Sequence, residues 1–94
     1  MPLTLKFIGA MRQISGKNQL IVNIQDGNTL RDLMDKLGKN MPELLKIFGE
    51  QKFGNSNSNS LVLVNGREIS VLNGLDTKLM SGDEVVFIPV VHGG

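Results

Sequence analysis

The residues best suited to do chemistry stand at the end of the sequence, Val90-Val91-His92-Gly93-Gly94. A glycine pair packs nothing and gives up more backbone freedom on ordering than other residues, so it is a poor way to fix a terminus. Its merit is thinness, because a Gly-Gly end can enter a channel too narrow for any Cβ. A free carboxylate on Gly94 has an ordinary pKa of about 3.3–3.7 and is anionic at neutral pH. Unhindered and mobile, it can be activated as an acyl-adenylate and passed to a nucleophile. His92 is the only histidine. On an exposed tail it reads as a solvated group or a recognition contact sooner than as an acid or base. Asp83 and Glu84 are adjacent carboxylates. Neighbours in a turn before a strand point apart, so turn chemistry is their expected role. The chain has no cysteine, which excludes disulfides, a thiolate metal site and a cysteine nucleophile. No glycine-rich phosphate loop of the Walker type occurs either. No metal site is expected, and no bound cofactor.

Ninety-four residues suggest one domain. With 40% hydrophobic and 20% charged residues, the chain has the composition of an ordinary globular protein. A net charge of +1 is too small for a nucleic-acid footprint. The longest apolar run, 85–91, is seven residues with a proline inside it, whereas a membrane helix needs about 20. The opening Met1-Pro2-Leu3-Thr4-Leu5-Lys6 lacks the basic start and apolar core of a signal peptide. These features point to a cytoplasmic protein with no membrane contact and no direct nucleic-acid binding.

The elements that must hold the tail follow from periodicity. Residues 3–9 alternate, with Leu3, Leu5 and Phe7 on one face and Thr4, Lys6 and Ile8 on the other, which reads as a half-buried strand. Residues 9–17 are a connection, and 19–24 form a second strand, antiparallel to the first. Thr29 suits a helix N-cap with Asp32 three residues on. Leu30, Leu33, Met34 and Leu37 form one apolar helix stripe, and Gly38 is placed to end the helix. Residues 42–48 could form a second short helix. Residues 54–60, all Gly, Asn and Ser, should be a mobile loop. A strand at 61–64, an Asn65-Gly66 hairpin turn and a short edge strand at 67–71 follow. Residues 75–80 should be an irregular crossover or a single helical turn. The last strand is 84–90, with Pro89 near its end, where a missing N–H is tolerated.

A hairpin, a crossover helix and three further strands suggest an α+β chain. The expected fold is the β-grasp of ubiquitin, a mixed sheet of four to five strands with one main helix on one face. The domain would be 1–90 and the flexible tail 91–94. If the first and last strands pair, Leu3, Leu5, Phe7, Val85 and Phe87 share the core with the helix stripe. Val86 and Ile88 then face outward beside Lys6 and Ile8. Contiguous apolar residues on an uncovered sheet face suggest a partner interface, so Ile88, Val86, Ile8 and Lys6 are candidates for it.

Residues 79–94 carry a Gly82-Asp83-Glu84-Val85 turn and strand, Pro89 near the strand end, and the terminal Gly93-Gly94. This resembles the C-terminus of ubiquitin-like sulfur carriers: the molybdopterin synthase small subunit, the thiamine-pathway sulfur carrier, the archaeal small modifiers and the ubiquitin-related modifier. The small-subunit pattern often has a second proline where this chain has Val90, and the His-Gly-Gly ending is closer to the ubiquitin-related modifier. The resemblance implies a carrier protein rather than an enzyme. A ubiquitin-activating-type partner, using ATP, would adenylate Gly94, and a sulfurtransferase would convert it to a thiocarboxylate. The sulfur would pass to a small-molecule precursor with a molybdopterin synthase large subunit, in molybdenum cofactor biosynthesis. Alternatively it would serve transfer-RNA thiolation, or the activated end would be joined to lysines of target proteins. Pro89, Val90, Val91, His92 and Gly93 would then be the tail-recognition residues.

Overall fold

A computed structural model describes residues 2–9, 12, 13, 16, 18–25, 27–43 and 60–89. Among these, five strands form one mixed sheet: β1 (Pro2–Phe7), β2 (Gln19–Asn23), β3 (Ser60–Val64), β4 (Arg67–Glu68) and β5 (Glu84–Pro89). Their spatial order is β2-β1-β5-β3-β4. β1 and β2 are antiparallel, β1 and β5 parallel, and β3 antiparallel to both β4 and β5. The last strand of the sequence is therefore the middle strand of the sheet. One helix, α1 (Leu30–Asn40), crosses between β2 and β3 in the chain.

The alternation in β1 does what its period demands. Leu3, Leu5 and Phe7 are buried with Val85 and Phe87 of β5, Val62 and Val64 of β3, and Leu30, Leu33 and Leu37 of α1. The rings of Phe7 and Phe87 stack with centroids 6.2 Å apart. Met34 and Leu20 pack at the margin of this core.

The helix start is a complete capping box. The Asp32 N–H donates to Thr29 Oγ1 (3.2 Å), and the Thr29 N–H donates to Asp32 Oδ2 (2.9 Å). Two otherwise orphaned backbone donors are satisfied this way. The helix end differs from expectation: Gly38 is buried inside the last turn, and α1 runs on to Asn40. The cause is Met41, four residues beyond Leu37. It extends the apolar stripe, and its N–H donates to the Leu37 carbonyl (2.7 Å). Pro42 and Glu43 are helical; the remainder of the expected second helix, 44–48, lies outside the described residues. So do residues 54–59 of the expected mobile loop, whose last member, Ser60, opens β3.

Asn65 (φ 53°) and Gly66 (φ 83°) both take the left-handed conformation, as a two-residue hairpin of the primed type requires. The strand expected at 67–71 stops after Glu68. The Glu68 carboxylate accepts from the Ser70 N–H and, at 2.6 Å, from the Ser70 hydroxyl. This turns the chain out of the ladder into a 3-10 turn, Ile69–Val71, and drives Ile69 into the core. A second 3-10 turn, Gly74–Asp76, fills part of the expected crossover.

Candidate functional site

The candidate site begins with the motif that fixes β5. Asp83 and Glu84 act at the turn into the strand, each in a different direction. Asp83 Oδ2 accepts from the Met80 N–H (2.8 Å), and Oδ1 accepts from the Asn65 side-chain amide (2.9 Å). The Asn65 side-chain oxygen in turn accepts from the Glu84 N–H (2.9 Å). The Gly82 N–H donates to the Pro2 carbonyl (2.8 Å), and the Thr4 N–H donates to the Asp83 carbonyl (3.0 Å). Gly82 has φ 87°, a conformation in which any side chain is strained. These bonds tie the start of β5 to both of its neighbours and so set where its far end emerges.

That far end is Pro89, which stands opposite Ser60 of β3. On the other side, the Ile8 N–H donates to the Phe87 carbonyl (3.3 Å). Strand neighbours therefore hold the chain on both sides almost to Pro89. Val90, Val91, His92, Gly93 and Gly94 lie outside the described residues.

The sheet face turned away from α1 carries the other candidates. Register puts Lys6 beside Val86, and Val86 beside Leu63. One step toward Pro89, Ile88 lies opposite Leu61, with Ile8 just beyond the Phe7–Phe87 pair. Ile8 is 46% exposed and Leu61 41%, and Ile88 is half-buried. The result is an apolar row across three strands, next to Pro89. Val86 corrects the sequence reading. It lies on this face, but only 8% of it is accessible. As a short side chain on the central strand, between Lys6 and Leu63, it is the floor of the patch rather than its surface. Lys6 is engaged within the chain, its ammonium 3.0 Å from Glu84 with both side chains 44% exposed. An ion pair this exposed contributes about 0–1 kcal/mol, so Lys6 can change partners at small cost. Leu61 and Leu63 were not among the residues expected here. Their alternation with Val62 and Val64 was visible in the sequence. Which pair faced the helix depended on pairing with β5, which no local pattern shows.

Among the described residues no three His, Cys, Asp or Glu side chains come together to hold a metal ion, and no helix is long and apolar enough to cross a membrane. A five-stranded mixed sheet ordered in this way, with one helix on a single face, is the ubiquitin-like β-grasp fold. The chain belongs to the ThiS family, whose model matches residues 5–94. It is 32% identical to small archaeal modifier protein 3 of Haloferax volcanii over 94 residues, the whole of both chains. It is 38% identical over 68 residues to a candidate sulfur carrier protein of Archaeoglobus fulgidus, covering 71% of this chain and 72% of that one. Among solved structures it is similar to Urm1 of Trypanosoma brucei, with a TM-score of 0.74 and 29% identity over 99% of this chain and 95% of that one.

Proposed function

We propose that this chain is a ubiquitin-like carrier whose reactive group is the Gly94 carboxylate, and that its sulfur serves a molybdopterin synthase small-subunit role. The carrying observation is the placement of β5. A central strand, anchored at its start by the Gly82-Asp83-Glu84 network and paired on both sides, brings Pro89, the last described residue before the terminal five, to one end of the sheet. The five residues after Pro89, drawn out fully, reach roughly 17–18 Å from the domain. An adenylating partner supplies ATP and the catalytic groups. A carboxylate oxygen attacks the α-phosphorus and releases pyrophosphate. The outer sulfur of a sulfurtransferase persulfide then attacks the acyl carbon and expels AMP, and a second partner thiol attacks the donor sulfur, forming a disulfide there and releasing the thiocarboxylate. Chemistry resident in the partner leaves the carrier nothing to do but fold, dock and present its end. A molybdopterin synthase large subunit would accept the loaded carrier.

Full-length similarity to a small archaeal modifier protein favours a second reading, in which the activated Gly94 is joined to lysines of target proteins. Both readings use the same activated glycine. Mass spectrometry of the protein from its native cell separates them. Replacement of one oxygen by sulfur at Gly94 is expected for the carrier, and Gly-Gly remnants on other proteins' lysines for the modifier. A terminus that stays unmodified when supplied with activating enzyme, ATP and sulfur donor would count against both.

The same reading assigns docking to Ile8, Leu61 and Ile88 on the uncovered face. Ile88→Glu and Leu61→Glu are expected to fold normally, because both side chains reach solvent. Each should weaken binding to the activating enzyme by several kcal/mol, roughly the cost of an unpaired charge in a desolvated contact. Calorimetry with unchanged affinity for both variants would remove the patch from the site.

A further inference from the structure

The sequence holds two Asn-Gly pairs, Asn65-Gly66 and Asn73-Gly74. Such a pair can rearrange without an enzyme. The glycine nitrogen, once deprotonated, attacks the side-chain carbonyl carbon of the asparagine. The bond to the side-chain nitrogen breaks and ammonia leaves. Water then opens the resulting five-membered succinimide at either carbonyl, giving aspartate or isoaspartate. Glycine presents no Cβ to block the approach. The rate then depends on how freely the side chain and the glycine nitrogen can meet, and the fold treats the two pairs in opposite ways.

Asn65 is locked. Its side-chain amide donates to Asp83 Oδ1 (2.9 Å), and its side-chain oxygen accepts from the Glu84 N–H (2.9 Å). Its own N–H donates to the Glu84 carbonyl (2.8 Å). The reacting carbon cannot turn toward Gly66 unless both side-chain bonds break. Asn73 is exposed, and its side chain makes no hydrogen bond among the described residues. The Gly74 N–H likewise donates to no group among the described residues. A Cβ on Gly74 would meet nothing within 4 Å, so no neighbour crowds the ring as it closes.

We propose that Asn73 is a site of spontaneous deamidation and isoaspartate formation, from which the fold protects Asn65. The consequence falls on α1. Thr77 is 7% exposed, and its hydroxyl accepts from the Asn73 N–H (3.1 Å) and donates to the Gly74 carbonyl (2.7 Å). The Asp76 N–H donates to the Asn73 carbonyl (3.1 Å). The Thr77 carbonyl in turn accepts from the Leu30 N–H (2.9 Å), at the start of α1, and the Leu79 N–H donates to the Asn28 carbonyl (2.8 Å). Residues 73–79 are therefore a clamp on the start of the helix. Isoaspartate routes the main chain through the former side chain, which adds a methylene between residues 73 and 74 and pulls these bonds out of register. None of the bonds named in the clamp touches β5, so an aged chain keeps its central strand. The product also carries a free α-carboxylate at position 73, the chemical group that an S-adenosylmethionine-dependent carboxyl methyltransferase can esterify.

The test is to hold the full chain in mildly alkaline buffer, folded and in concentrated urea, and to follow both pairs by peptide mapping and mass spectrometry. Enzymatic carboxyl methylation of the peptide containing residue 73 marks isoaspartate. In the folded chain Asn73 is expected to convert roughly 5- to 100-fold faster than Asn65, the factor that two side-chain hydrogen bonds supply. In urea the two rates should become nearly equal, because the bonds that hold Asn65 are gone. Amide exchange at Leu30 and Leu79 should speed up as the parent ages and stay constant in an Asn73→Gln chain kept alongside it. The proposal is overturned if Asn65 converts as fast as Asn73 in the folded chain, or if neither converts there in the time both convert in urea. It is also overturned if exchange at Leu30 and Leu79 rises equally in the Asn73→Gln chain.

Discussion

Adding one residue after Gly94 is expected to stop ATP–pyrophosphate exchange with the proposed activating enzyme, while the extended chain still folds and still docks. The reason is position. The reacting oxygen must sit within about 3–3.5 Å of the α-phosphorus, and misplacement by as little as ~1 Å can cost about a hundredfold in rate. One further residue carries the carboxylate roughly 3.3–3.6 Å past that point. Because β5 is bonded on both sides and tied at its start to Pro2, Thr4 and Asn65, the strand cannot slide back to take up the difference. Removing Gly94 fails for the opposite reason, leaving the carboxylate short. Gly93→Val fails by sterics, since a branched Cβ cannot follow a glycine through a thin channel. Docking measured by calorimetry alongside exchange separates lost chemistry from lost binding. Exchange at the parent rate by the extended chain would show that the terminus is not the reactive group.

The second large effect is on stability. Phe87→Ala is expected to cost about 3–5 kcal/mol, the range for deleting a buried aromatic side chain. Phe87 is fully buried at the centre of the central strand, opposite Val62 and beside Phe7, whose ring it stacks against. For a domain stable by about 5–15 kcal/mol, that is a large share of the total. The melting midpoint should fall by more than about 10 °C for a chain this size. A denaturant midpoint equal to the parent's would mean that Phe87 is not packed as described.

Much of this arrangement was legible in residue order, and the failures share a cause. The capping box at Thr29, the alternation of β1 and the Asn65-Gly66 turn were readable because each depends on neighbours a few residues away. The parallel pairing of β1 with β5 was reached by topology rather than by pattern. Gly38 misled because a glycine after an apolar stripe is a common stop. Met41 overrode it by continuing the stripe and bonding back to Leu37. The strand expected at 67–71 broke because Glu68 captures Ser70, a side-chain contact that β propensity does not register. Val86 was assigned to the correct face, but its accessibility depends on what Lys6 and Leu63 leave open, and both come from other strands. Leu61 and Leu63 were missed for the same reason. The terminal group of the candidate site was marked by its residue types; its docking surface was not, because that surface exists only once three distant strands are side by side.

The position of β5 also bears on how the chain is made. β5 is synthesised after the other four described strands, yet it separates β1 from β3 in the finished sheet. Until residues 84–89 are available, the sheet exists only as two disconnected halves, the β1–β2 hairpin and β3–β4. Pairing between the first and last strands is the longest-range contact the topology contains, and folding that depends on it is slow and late. A nascent chain therefore stays open until residues 84–89 have left the ribosome. A product cut short within β5 has no route to the native sheet and is left with the exposed apolar surface that quality control removes. Reaching the folded state then certifies that the strand carrying the tail was made, so the cell's pool of folded copies is screened in advance for the part that the chemistry needs.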